Sequence, residues 1–374
     1  MEKGRMTSWQ GISLIVMFLL GSQAVMGVSS EAGADTFLGI VTGLVMALPM
    51  VLVYARLKKL QTEKDLFDML IWVFGRWAGK ICIALLTWYA LHLGALVLRN
   101  FTEFISAVTL PETPQMVTAL LMGLTAVWAA KSGADVMGRW SSIYFVFVAF
   151  TLLVTVLLAM PYFDLQNLRP AAYNGIMPLI NGGTSAFAMP FAETVVFLMA
   201  VSAFKREANP YRVFFGGVTL GGVILALLSL RDTLVLGGES LAKRYYPSYT
   251  AVKVISLGDF FQRFEIIVGG VFLLCGFVKA AVCLIAAARG IAKLSGIGDY
   301  RKITAPVGLL MIIFSVIVYS SMMQMFNWLP FYKYYALPFE VLLPLIVWVV
   351  AEIRAGSGKK RKAAKGVRAG NPVA

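Results

Sequence analysis

The chain is poor in the residues from which soluble enzymes and secreted scaffolds are built. Only 14% of its 374 residues are charged, and it has one histidine and three cysteines. Cys82, Cys275 and Cys283 all lie within apolar runs, where cysteine behaves as a small apolar side chain. That placement argues against a disulfide framework or a metal-ligand cluster. Outside the apolar runs there is no glycine-rich phosphate loop, metal-ligand spacing or paired nucleophile and base. Neither an enzyme nor a bound cofactor is therefore expected. No polar segment is long enough to form a separate soluble domain.

What is present is apolar chain, 59% of the residues. Ten stretches of about 20 residues, enough for a hydrocarbon core about 30 Å thick, run over 9–28, 37–55, 81–105, 116–131, 142–160, 184–204, 213–236, 265–288, 304–322 and 335–353. The expected architecture is an all-α membrane protein with one ten-span domain over 1–353 and a basic, disordered cytoplasmic tail over 354–374. Residues 1–28 also carry features of a secretory signal, Lys3 and Arg5 before an apolar run and then small residues; cleavage there would leave nine spans.

A net charge of +14 suggests nucleic acid, but the basic residues sort by loop parity instead. With the N-terminus inside, 24 of the 33 Lys and Arg fall in cytoplasmic segments. This bias predicts cytoplasmic termini and no nucleic-acid partner. The Lys359 to Lys362 run is read as a solvated topogenic tail, with anionic lipid headgroups as the alternative. The long outer segment 237–264 is expected to cap the outer mouth.

Two interruptions stand out, Gly21-Ser22-Gln23 in the first span and Met189-Pro190 in the sixth, five spans apart. Unpaired backbone groups are costly in lipid, so broken helices are tolerated where they line a cavity. Breaks at matching positions of two five-span halves point to a binding site at the midplane. Free amides at Gly21-Ser22-Gln23 suit a carboxylate and free carbonyls before Pro190 suit an ammonium. Together they match a free amino acid. The structural alternatives are close packing at Gly21 and a proline kink satisfied by neighbouring helices.

Phe191 follows the second break, and Glu193 lies one turn beyond Pro190. Lys279 sits in the middle of span eight. Charges at such depth need a cavity or a partner. Lys279 therefore either holds the place of a coupling ion beside span one or pairs with an acid such as Glu193. His92, next to Tyr89 in span three, is either a proton relay or a packing histidine. Arg99 and Glu103 have the spacing of an intrahelical ion pair.

The order of several runs resembles a known family. They are Glu31-Ala32-Gly33, Phe74-Gly75-Arg76-Trp77-Ala78-Gly79-Lys80, and Val97-Leu98-Arg99 through Glu103-Phe104-Ile105 to Leu110-Pro111-Glu112-Thr113-Pro114. Then come Pro190-Phe191-Ala192-Glu193, Ile255-Ser256-Leu257-Gly258-Asp259-Phe260-Phe261-Gln262-Arg263, Gly276-Phe277-Val278-Lys279, and Ala336-Leu337-Pro338-Phe339-Glu340. Over about Thr7 to Ile353 the chain is similar to the B subunits of spore-germination nutrient receptors (GerAB type), within the amino acid/polyamine/organocation transporter superfamily.

The resemblance implies a LeuT-like 5+5 inverted repeat in the inner membrane of the bacterial spore, with an A subunit and a lipoprotein C subunit as partners. It implies a small-molecule germinant, typically an amino acid, bound between spans one, three, six and eight. Ala192 departs from the family, which usually has Gly there. The candidate ligand-binding residues are Gly21, Ser22, Gln23, Tyr89, His92, Met189, Pro190, Phe191 and Glu193, with Lys279 as the ion-site mimic. A proton-coupled amino acid symporter and an ion-channel subunit are the rival readings.

Overall fold

A computed structural model describes residues 6–27, 29–60, 65–168, 175–201, 204–205, 207–242, 244–254 and 264–355. The run Ile255 to Arg263 and the tail beyond Ala355 lie outside the described residues. In chain order the helices are α1 (Ser8–Met26), α2 (Thr36–Leu60), α3 (Leu66–Phe74), α4 (Arg76–Val108), α5 (Gln115–Ser132), α6 (Ala134–Ala159) and α7 (Ile176–Ala186). They continue with α8 (Val196–Ala200), α9 (Pro210–Leu236), α10 (Gly238–Ala242), α11 (Pro247–Lys253), α12 (Phe264–Ser295), α13 (Thr304–Ile317) and α14 (Met322–Leu337). Among the described residues the one strand-like pairing is an isolated bridge between Met6 and Phe204.

Among the described residues seven helical stretches are long and apolar enough to cross a membrane: α2, α4, α6 with its 3-10 extension, Ile176–Ala200, α9, most of α12, and Met322–Ala355. The other three expected spans fall on α1, α5 and α13, of 19, 18 and 14 residues. Local chemistry sets several ends. Thr7 and Gln10 form a reciprocal capping box on α1, at 3.3 and 3.0 Å. Asp65 caps α3 by accepting from the Asp68 amide at 3.0 Å, and Ser321 caps α14 by accepting from the Gln324 amide at 3.2 Å.

The expected break at Gly21-Ser22-Gln23 is corrected by the structure. All three residues are α-helical, and α1 stops only at Gly27, whose φ of 72° ends the helix. A 3-10 segment, Ser30–Asp35, then leads into α2. Gly21 is there for close packing: a Cβ on it would lie 2.9 Å from Cβ and Cδ of Lys279. The helix keeps its backbone bonds and gives up a side chain instead.

Burial divides the bundle into a centre and a shell. Every residue from Leu14 to Leu20 of α1 and from Ala280 to Ala288 of α12 is buried, as expected for apolar helices surrounded by others. In contrast α6 presents Ile143, Val146, Phe147, Phe150, Leu153 and Leu157 outward at helical spacing, the face of a helix against lipid. Around α1 pack α9, α12 and α6, and α12 also packs on α4 and α5.

Part of the segment expected to cap the mouth is helical. There α11 packs on α1, α9 and α12, while Tyr246 stacks edge-on against Phe104 at 5.1 Å. Burial pushes the Tyr246 phenol above its ordinary range, with the Glu103 charge acting in the same direction. Buried polar side chains tie this end together. Arg231 bonds Asp232 and, at 2.6 Å, Thr155, and Ser248 donates to Asp232. The expected Arg99–Glu103 pair forms at 2.7 Å, and Arg99 also reaches the Val316 carbonyl at 2.9 Å.

Candidate functional site

The sixth expected span is interrupted at the residues the sequence singles out. After α7, Met189 is extended at φ −132° and ψ 108°, and Pro190 has no N–H to give. A π-turn over Phe187–Phe191 and a 3-10 turn over Ala192–Val195 follow before α8 resumes. A second π-turn, Pro338–Leu342, interrupts the last span. Tyr54 of α2 binds both interruptions: its hydroxyl lies 2.6 Å from the Glu340 carbonyl and 3.2 Å from the Ala192 carbonyl. Ala192 keeps an ordinary right-handed conformation and is buried, so the departure from glycine introduces no backbone strain.

These turns contribute Glu193 and Glu340 to a buried polar chain. Lys279 Nζ is 2.5 Å from Glu193 Oε2, and the Tyr332 hydroxyl donates to Glu193 Oε1 at 2.9 Å. The Tyr332 and Tyr89 hydroxyls are 3.1 Å apart. Tyr89 in turn donates to Glu340 Oε1 at 2.7 Å, while Glu340 Oε2 is buried without a partner among the described residues. Five elements supply one residue each: α12, the Ala192–Val195 turn, α14, α4 and the Pro338–Leu342 turn. The Lys279 ammonium also lies 5.1 Å from the centre of the Phe18 ring.

At the end of the bundle where α1 stops, two cavities share Gly27, Phe326 and Leu329. The smaller, about 80 Å³, reaches the break at Met189 and Tyr332 and carries Glu31, Ser185 and Lys333. Glu31 accepts from Ser185 at 2.7 Å and faces Lys333 at 3.5 Å. The larger, about 220 Å³, is lined by Gln23, Ser229, Asp232 and Arg244 among others. Gln23 is 2% exposed, yet both polar atoms of its amide lack a partner among the described residues. A buried amide in that condition costs stability unless something occupies the space beside it.

The expected site residues are thus distributed over several environments. Glu193, Tyr89 and Lys279 meet in the polar chain; Gln23 and Met189 line the two cavities; Pro190 and Phe191 are buried at the break. Gly21 supports Lys279, and Ser22 accepts from Asn100 at 3.5 Å. His92 stands apart, stacked on Trp88 at 5.6 Å and edge-on to Tyr335 at 5.1 Å. Among the described residues no group of three His, Cys, Asp or Glu side chains is placed to hold a metal.

Glu340, Tyr332 and Tyr54 were not anticipated as site residues. For Glu340 the signal was available: a carboxylate just after a proline within an apolar run. It was hidden because Gln324, Asn327 and Lys333 lower the hydropathy of α14 and shift the apparent start of the span to residue 335.

Comparison with known proteins agrees with this architecture. The chain is similar to spore germination protein KB of Bacillus subtilis (strain 168), 24% identical over 99% of this chain and 100% of the relative. It is also similar to spore germination protein A2 of the same organism, 22% identical over 83% of this chain and 86% of the relative. Among solved structures, the closed, bromovinylhydantoin-bound form of Mhp1, a nucleobase-cation-symport-1 family transporter, aligns with a TM-score of 0.68. That alignment covers 90% of this chain and 77% of Mhp1 at 14% identity, and it shows a shared transporter fold. The pattern of the spore germination protein (spore permease) family matches residues 5–323, and the chain belongs to that family.

Proposed function

We propose that this protein is the nutrient-sensing membrane subunit of a spore germination receptor, with a free amino acid as its germinant. Its ten spans form a 5+5 inverted repeat in the spore inner membrane, with both termini cytoplasmic and the Gly27 end facing outward. The germinant enters the cavity beside Gln23 and is read at the Met189 break, between spans one, three, six and eight. A and C subunits then register the change of shape. A ligand can move such an equilibrium only by its difference in affinity for the two arrangements. The filled site must therefore displace Tyr332 or Met189, which bound the smaller cavity in the arrangement described above.

The observation that carries this reading is the Gln23 amide, buried without a partner among the described residues against a cavity that Arg244 also lines. A primary amide offers one acceptor and two donors, and a guanidinium suits a carboxylate. A zwitterion satisfies both. Thermal unfolding of the full chain against the common amino acids tests it. One or a few should raise the Tm, by an amount that grows with ligand concentration. Gln23→Ala should remove the rise while leaving the unliganded Tm within a few degrees of the parent. No stabilising amino acid at millimolar concentration, or an undiminished rise in Gln23→Ala, would refute the assignment. The rival, a proton-coupled symporter, predicts sustained pH-driven accumulation of the same amino acid by proteoliposomes containing this chain alone.

A further inference from the structure

The buried chain from Lys279 to Glu340 does not have enough hydrogens if both carboxylates are ionised. Tyr332 has one hydroxyl hydrogen and gives it to Glu193; Tyr89 has one and gives it to Glu340. Nothing is then left for the 3.1 Å contact between the two phenol oxygens, which would face each other lone pair to lone pair. The charges do not balance either. Two carboxylates share one ammonium, and Lys279 is already committed to Glu193 at 2.5 Å. Glu340 is fully buried, and its second oxygen has no partner among the described residues, a costly state for a full negative charge.

One added proton removes all three defects. With a hydrogen on Glu340 Oε1, that acid donates to Tyr89, Tyr89 donates to Tyr332, and Tyr332 still donates to Glu193. Every contact in the chain then has one hydrogen, the group is neutral overall, and the unpartnered Glu340 Oε2 is a neutral carbonyl. We propose that Glu340 is a proton-binding site, occupied in this arrangement, and that the two tyrosines connect it to Glu193. The titratable or charged groups facing Glu340 are Tyr89 from α4, Tyr332 from α14, Glu193 from the Ala192–Val195 turn and Tyr54 from α2, with Lys279 behind Glu193.

The chain can also pass the proton on. If Glu340 releases its hydrogen to Tyr89, Tyr89 gives its own to Tyr332 and Tyr332 gives its own to Glu193, each O–H bond broken is matched by one formed. The net result is one proton moved from Glu340 to Glu193. Lys279 then loses its anionic partner beside Gly21 of α1. Proton position and the α1–α12 contact are coupled by this route, whichever germinant the protein senses.

Infrared spectroscopy of the full chain in lipid nanodiscs reads the proton directly. At neutral pH a protonated carboxyl C=O band is expected. It should be absent from Glu340→Gln, and in Tyr89→Phe it should shift because the acid loses its acceptor. The band should be the same in sodium chloride and choline chloride. Absence of any acid band in the parent protein overturns the proposal. So does a band that persists in Glu340→Gln or does not move in Tyr89→Phe. A band that disappears when sodium replaces choline would also overturn it, since the site would then hold a metal cation in place of the proton. The parent spectrum and Tyr89→Phe keep the test decisive even if Glu340→Gln fails to fold.

Discussion

Glu193 and Lys279 stand or fall together, because each is the other's only opposite charge within hydrogen-bond reach among the described residues and both are fully buried. Removing one partner of such a pair leaves an uncompensated charge, a loss of about 3–5 kcal/mol, whereas removing both can be nearly neutral. Lys279→Met should therefore melt well below the parent, and Glu193→Gln combined with Lys279→Met should recover most of the loss. Circular-dichroism melts of the full chain at one pH decide this; a single variant that melts with the parent would show that the pair contributes nothing. Both charges were legible in the sequence because a formal charge amid apolar residues is expensive wherever the helix runs. The role of Gly21 was not legible. Gly-Ser-Gln reads equally as a helix break or as a notch for a neighbour, and only the position of the Lys279 stem selects the notch.

Between elements, close packing depends on positions with no room for a side chain. At the α2–α7 seam, a Cβ on Gly43 would lie 2.7 Å from Ala186 Cβ and from the Gly183 carbonyl oxygen, and 2.8 Å from the Phe187 amide. Two of these three atoms are backbone and cannot swing aside. Gly43→Val should therefore push α7 off α2 and cost about 1–3 kcal/mol, the usual range for overpacking. Because α7 leads into the Met189 break, the same change should weaken any germinant-induced rise in Tm. An unchanged melt would mean that the seam yields freely. Long elements were legible because 20 apolar residues have few other fates, and the sixth interruption was legible because proline removes a donor in any context. The short helices α3, α10 and α11 were not anticipated, since five to nine residues carry too little periodicity and are fixed by what they pack against. The second π-turn escaped for the same reason as Glu340, a misplaced start to the last span.

Across the whole molecule, the two ends of the bundle are built differently. The Gly27 end holds the cavities lined by Gln23 and by Met189. The Ser8 end is drawn shut: Lys58 donates to the Val201 carbonyl, the Lys205 amide to the Met6 carbonyl at 2.9 Å, and Lys293 pairs with Asp68. Arg56 and Glu352 add a two-point contact at 2.5 and 3.1 Å. The Lys293–Asp68 and Arg56–Glu352 side chains are each about one-third exposed, so each pair contributes up to about 1 kcal/mol. Asp68→Asn combined with Glu352→Gln should thus shift the balance toward an arrangement open at the Ser8 end by up to roughly thirtyfold. Cys283 reports the shift, because it is fully buried with its Cβ 3.1 Å from where a Cβ on Gly94 of α4 would lie. Separation of α12 from α4 exposes it. Maleimide should modify Cys283 faster in the double variant than in the parent, measured by peptide mass spectrometry against the half-buried Cys82. If the ratio of the two rates does not change, these ion pairs do not hold the Ser8 end closed, and the closure lies in the apolar contact between the central helices.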